Sequence, residues 1–199
     1  TGFLLNGHRY DWDSLQAAYP SDTCPKCQEM DALMAFLADW FQSSPTLNIY
    51  TSGTTGAPSR LIVQKSRMIY SARQTLRRFN LKPGDDCLLC LPLEFIAAKM
   101  MVVRALVGGL NLWIKQADGH PFKATNQSFR FVPLVPLQLF NSLQDPSERA
   151  ALERCETILI GGAPLSPELE QATQALNTPV IVSYGMAETL SHIALRRAN

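Results

Sequence analysis

Three short stretches of this sequence combine residue types that could handle a phosphorylated ligand. "TSGTTGAPSR" (51–60) puts hydroxyls at Thr51, Ser52, Thr54 and Thr55 between the glycines Gly53 and Gly56. "GGAPLS" (161–166) supplies two more glycines, and "YGMAET" (184–189) carries an aromatic ring, a glycine, a carboxylate and a hydroxyl. Glycine lets backbone N–H groups approach a ligand closely, and successive N–H groups in tight turns form concavities for anions. Hydroxyls add neutral donors, while Glu188 offers the hard oxygen that suits Mg²⁺ accompanying phosphates. From the residues alone the reading is an anion or nucleotide pocket built from three loops. It is not a Walker A loop, because "GTTGAPSR" lacks the Gly-Lys-Ser/Thr ending and no helix opens directly behind it. Taken singly, a Ser/Thr/Gly loop is more often a connector, Glu188 more often a surface carboxylate, and His192 in "LSHIAL" more often a histidine at the edge of the core.

The elements that must position these loops follow from periodicity. "EMDALMAFLADWF" has apolar residues at 30, 33, 34, 37, 40 and 41, the one-face pattern of an amphipathic helix. "TLNIY" and "RLIVQ" read as strands on either side of the first loop, so that loop joins two strands. "SRMIYSARQTLRRF" reads as a helix facing the core through Met68, Ile69, Ala72, Leu76 and Phe79. Beyond the "LKPGD" turn, strand and helix alternate: "CLLCLP", "IAAKMMVVRALVGG", "LNLWI", "FRFVPL", "PLQLFNSL", "ETILIGG", "SPELEQATQAL" and "PVIVSYG". This spacing implies an α/β fold, a largely parallel sheet flanked by helices. The three loops are then expected at the carboxyl ends of its strands, where ligands gather in such sheets. "SHIALRRAN" reads as a strand without its partner, and the chain as a piece of something longer.

Composition excludes little but points away from some partners. With 18 basic and 17 acidic residues, net charge +1, there is no electrostatic footprint for nucleic acid or an anionic membrane. No uncharged run approaches the ~20 residues of a membrane-spanning helix, and a cytoplasmic protein is the default expectation. Of the five cysteines, Cys24/Cys27 and Cys87/Cys90 have zinc-like spacing. Cys87 and Cys90 lie on a predicted strand, where side chains three apart face opposite ways, so they cannot share an ion. Two thiols at 24 and 27 do not close a tetrahedral site.

In this order, the three stretches resemble the motifs of the adenylate-forming, or AMP-binding, acyl-CoA synthetase superfamily. Within it, "YGMAETLSHIAL" and "LPLEFIAAKMMVVRALVGGLNLW" look most like o-succinylbenzoate–CoA ligases of menaquinone biosynthesis. The resemblance covers roughly residues 46–197. It implies an incomplete N-terminal domain of the acyl-CoA synthetase-like fold. Residues 1–45 would be an abbreviated segment with one amphipathic helix, and 46–199 an adenylate-forming α/β core lacking the mobile C-terminal domain. The implied activity is an ATP-dependent ligase that joins a small carboxylic acid to CoA through an acyl-adenylate with Mg²⁺; the 199-residue piece alone is expected to fall short of turnover. The resemblance gives phosphate contacts to Thr51, Ser52, Gly53, Thr54, Thr55 and Gly56. The adenine goes to Gly162, Ala163 and Pro164, with Tyr184 stacking on the base. Gly185 and Met186 wall the acyl pocket, with Phe95 beside them, Thr189 meets the α-phosphate, Glu188 holds Mg²⁺, and His192 reaches toward the carboxylate of the acid.

This chain departs from the family pattern at several positions. The usual lysine and glycine after the phosphate loop are Ser59 and Arg60. Arg60 is expected to supply the missing cation, which requires the loop to extend past Pro58. Phe95 stands where many relatives have a histidine between the acyl and thiol tunnels, with Lys99 as the nearest new polar group. A nucleotide-binding protein without ligase activity, a ligase for another aryl or acyl acid, and an α/β interaction domain stay open alternatives. A homodimer is also left open.

Overall fold

A computed structural model of the protein describes residues 2–19, 28–51 and 59–199. Ten strands and seven helices occur among them. The chain starts with a hairpin, β1 (Phe3–Leu5) and β2 (His8–Tyr10), turned by Asn6 and Gly7. Both turn residues have positive φ, the conformation a two-residue hairpin of the right twist demands. Helix α1 (Trp12–Ala18) follows, its end closed by a capping box in which Asp11 and Ser14 exchange side-chain-to-backbone hydrogen bonds at 2.8 and 2.9 Å. The expected amphipathic helix is α2 (Gln28–Phe41).

Strands β3 (Thr46–Thr51) and β4 (Ser59–Gln64) pair antiparallel and lead into α3 (Lys65–Arg78). The chain then alternates through β5 (Asp86–Leu89), α4 (Ile96–Gly108), β6 (Asn111–Ile114), β7 (Val132–Leu134) and α5 (Pro136–Gln144). It finishes with α6 (Pro146–Glu153), β8 (Ile158–Ile160), α7 (Pro167–Thr173), β9 (Val180–Gly185) and β10 (His192–Arg197).

Two four-stranded sheets, ordered β2-β1-β6-β5 and β10-β9-β8-β7, meet where β5 runs beside β7. Leu88 N donates to Phe131 O at 3.2 Å and Arg130 N to Asp86 O at 2.7 Å, bridging the seam. The pairs β1/β6, β6/β5, β7/β8 and β8/β9 are parallel, and only the outermost pairs, β1/β2 and β9/β10, are antiparallel. The largely parallel sheet read from the alternation is thus present. One expectation changes: β10 does have a partner, pairing antiparallel with β9 from His192 to Arg197.

The sheet separates two apolar clusters. On one face Leu5, Cys87, Leu89, Leu112 and Phe131 pack with α2, α3, α4 and the β3/β4 hairpin. On the other Leu88, Cys90, Val132, Leu134, Ile158 and Ile160 pack with α5, α6 and the residues before and after α7. Residues 3–41 contribute Phe3, Leu15, Met30, Leu33 and Leu37 to the first cluster, together with the later elements. Cys87 and Cys90 lie in opposite clusters, as alternation on a strand requires. Burial pushes the Cys87 thiol up to about 12, which leaves it without thiolate at neutral pH. Among the described residues no metal-binding cluster forms and no helix is long and apolar enough to cross a membrane. Cys24 and Cys27 lie outside the described residues.

Candidate active site

The turn after β8 and the turn after β9 stand side by side at the carboxyl edge of the sheet, because their strands are parallel neighbours. Ser183 fixes their relation: its hydroxyl donates to Ile160 O at 2.8 Å and fills the space a Cβ on Gly161 would need. Gly162 has φ +84°, a left-handed conformation that turns the backbone outward and leaves Ala163 and Pro164 exposed. Leu165 then returns to the core, and Ser166 caps α7 by accepting from Leu169 N.

The β9/β10 turn is tied by its own side chains. Thr189 Oγ1 accepts from Met186 N at 2.9 Å and lies within 2.9 Å of Met186 O and Ser191 O, to one of which it donates. Leu190 is buried with φ +68°, a strained conformation for a branched-chain residue that its burial maintains. A Cβ on Gly185 would sit 2.4 Å from Ser191 O, so only glycine allows this crossing. The turn leaves Tyr184 62% and Met186 49% exposed, and Glu188 projects to solvent with no hydrogen-bond partner among the described residues.

Beneath this turn lies a residue the sequence reading passed over. Arg104, on α4, is 3% exposed, and its Nη2 donates to Ser191 Oγ at 2.6 Å. Among the described residues its buried Nε has no partner and no carboxylate pairs with it. Burial lowers the guanidinium to about 10, still charged at neutral pH. His192 is beside it, Nδ1 3.2 Å from Ser191 Oγ and its ring edge-on to Phe79. Burial foremost, and then the Arg104 charge, push this imidazole down to about 4, so it is neutral at pH 7. The signal for Arg104 was in the sequence: one cation within "MMVVRALV", a helix apolar all round and therefore buried.

Thr189, Leu190 and His192 also line a groove of about 700 Å³ between α3 and β10. Of the other expected positions, Phe95 is the residue preceding α4 and is 44% exposed. Lys99 turns back to bond the carbonyls of Leu93 and Glu94.

The first loop is placed differently from expectation. It joins two strands, as the sequence reads, but these form the separate β3/β4 hairpin and not part of the parallel sheet. Thr51 ends β3, while Ser52, Gly53, Thr54, Thr55 and Gly56 lie outside the described residues. Strand β4 already begins at Ser59, so Arg60 is a strand residue. Its Nε donates to Asn48 Oδ1 at 2.8 Å on the exposed face of the hairpin, on the side away from the loop.

A family profile described as "AMP-binding enzyme" matches residues 17–199. The chain belongs to the AMP-binding enzyme family. Its family relatives include a probable 2-succinylbenzoate–CoA ligase of Mycobacterium tuberculosis, 31% identical over 151 residues. That alignment covers 72% of this chain and 39% of the relative. An acyl-CoA synthetase (AMP-forming)/AMP-acid ligase II-like protein from Dyadobacter fermentans superposes with a TM-score of 0.82 at 32% identity, over 88% of this chain and 50% of that one. The fold is shared too by the O-succinylbenzoate coenzyme A synthetase of Bacillus subtilis in complex with ATP and magnesium ion, at TM-score 0.64 and 24% identity, over 76% of this chain and 32% of that one. The chain thus spans from about a third to a half of the length of these AMP-binding relatives.

Proposed function

We propose that the protein of which this chain forms the AMP-binding part is an acid–CoA ligase working through an acyl-adenylate. Its acid carries a second carboxylate, with o-succinylbenzoate of menaquinone biosynthesis the leading candidate. The observation that carries this reading is the turn 185–191, which bears Glu188 and Thr189 and is closed over the half-partnered guanidinium of Arg104. A buried cation with an unmet donor is costly unless an anion completes it, and a substrate carboxylate would do so.

In the first half-reaction a carboxylate oxygen attacks the α-phosphorus of ATP and pyrophosphate leaves; in the second, the CoA thiolate displaces AMP from the acyl carbon. The chain's own groups divide the work. The backbone and hydroxyls of 51–56 hold the β and γ phosphates. Gly162, Ala163 and Pro164 border the adenine, and the exposed ring of Tyr184 at the end of β9 stacks on it. Thr189 trades an internal hydrogen bond for the α-phosphate, where charge builds in both transition states. Glu188, exposed and unpartnered among the described residues, suits Mg²⁺, which when bound neutralises the triphosphate. Arg60 reaches a phosphate in place of the lysine that Ser59 replaces only once it releases Asn48 and the Ser59–Arg60 end of β4 unpairs from β3. Gly185 and Met186 border the ligand, and neutral His192 with Arg104 and Ser191 receives the acid's second carboxylate. Phe95 walls the acyl pocket.

Pyrophosphate release by the full-length protein with ATP, Mg²⁺, CoA and a panel of acids tests the reading; no release with any acid would sink it. A second reading, nucleotide binding without turnover, is favoured by one observation, the engagement of Arg60 with Asn48. Calorimetry showing ATP binding with no adenylate formed would select it.

A further inference from the structure

Helix α3 concentrates positive charge in a chain that is nearly balanced as a whole. Its sequence, "KSRMIYSARQTLRR", holds five cations and no acid, against 18 basic and 17 acidic residues overall. Three arginines elsewhere are in ion pairs: Arg130 with Asp85 and Glu156, Arg149 with Glu153, Arg196 with Glu170. Among the described residues no arginine of α3 is in an ion pair.

One face of this helix looks into the groove that His192 and Thr189 line from the other side. Arg67, Tyr70, Gln74 and Arg78 succeed one another at helical spacing and all border it, whereas no acidic residue among the described ones does. Arg78 sits at the His192 end: its guanidinium carbon is 5.8 Å from the Phe79 ring centre, and that ring meets His192 edge-on at 6.3 Å. Arg67 lies three turns away, about 16 Å along the axis. Tyr70, 66% exposed, offers an aromatic surface between them. The groove therefore has cations on its outer wall, an aromatic ring midway and His192 on its inner wall, with Arg104 buried behind His192 and not itself bordering the groove.

We propose that this arginine face of α3 is the outer wall of the acid pocket, with Arg78 the residue that selects acids carrying negative charge beyond the reacting carboxyl group. The inference rests on the acid-ligase reading but goes further, assigning selectivity to side chains outside the turn 185–191. Arg104 anchors the second anionic group from below and Arg78 closes on it from the solvent side. Arg67, farther out, draws anionic acids toward the groove, an effect that weakens with salt.

The test is calorimetric binding of 2-succinylbenzoate and of benzoate, which lacks the second carboxylate, to the full-length protein. R78Q is expected to weaken 2-succinylbenzoate at least tenfold and leave benzoate and ATP unchanged. R78K should recover most of the loss, and R67Q should lower affinity a few-fold at low salt only. In steady state the R78Q loss should fall on KM for the diacid rather than on kcat. The proposal is overturned if R78Q weakens both acids alike or neither, or if the wild-type protein binds the two acids equally. Selective binding without pyrophosphate release would refute the ligase reading while upholding the groove.

Discussion

Two buried charged side chains lie on opposite faces of the sheet, and they are treated differently. Glu148, on the α5/α6 side, is 1% exposed and meets three donors: Ser142 Oγ at 2.9 Å, Phe122 N at 3.3 Å, and His120 Nδ1 at 2.7 Å. It ties α6 to the long crossover between β6 and β7, a segment without regular structure that needs such an anchor. Arg104, on the α3/α4 side, has one hydrogen bond and one buried donor left over. The first charge is complete without any ligand; the second is not. A charge whose partners all come from the fold has a structural role, whereas the open donor of Arg104 is the one that the proposed substrate carboxylate completes.

That contrast can be broken by substitution. Glu148→Leu leaves two buried donors, Ser142 Oγ and Phe122 N, unanswered and frees the half-exposed His120, and should destabilise the protein by about 2–5 kcal/mol in urea unfolding. A loss under about 1 kcal/mol would remove the distinction between the two sites. Arg104→Met, of similar length and apolar, should leave stability unchanged or raise it by about 1–3 kcal/mol, as happens when unpaired or poorly paired buried charges are replaced.

The pH dependence of stability sharpens the same contrast. The His192 imidazole takes up a proton near 6.5 when unfolded but only near 4 in the folded protein. The unfolded state therefore binds more protons between these values, and stability falls as pH drops from 6.5 to 4. Because the ring is half-exposed, about 1–2 kcal/mol is expected rather than the full amount of the shift. His192→Gln should flatten this part of the profile; an unchanged slope would mean that other groups cause it. The smallest expected effect is at the hairpin, where Arg60→Ala should raise the KM for ATP by about 3- to 10-fold, one charge-assisted hydrogen bond's worth. An unchanged KM would mean the loop's backbone and hydroxyls suffice.

Much of this molecule was readable before its fold. Helix α2 and the strands of the sheet announced themselves through period, and the glycine-bearing turns at 161 and 184 through composition. Other parts were overlooked for identifiable reasons. The short run "FLLNG" reads as a strand and is β1, but its partner β2 spans only three residues, too short for alternation, and the signal for the hairpin was the Asn6-Gly7 pair. Helix α6 has a weak pattern but a clear start, Asp145 capping with Pro146 at the first position and Glu148 at the third. The placement of the 51–60 loop on a separate hairpin could not be read locally, because strand pairing is a long-range property. Arg104 was visible but unremarked, since periodicity asks where apolar residues fall and not which charge they enclose.

The most direct test of the account is pyrophosphate release from ATP with 2-succinylbenzoate, measured for the full-length wild-type protein and for R104M beside their unfolding midpoints. The account predicts turnover by the wild type and a loss of about 100-fold or more in kcat/KM for R104M, the cost of an unpaired substrate carboxylate, with no loss of stability. Equal turnover by both proteins, or a loss of activity that only follows a loss of fold, would contradict it.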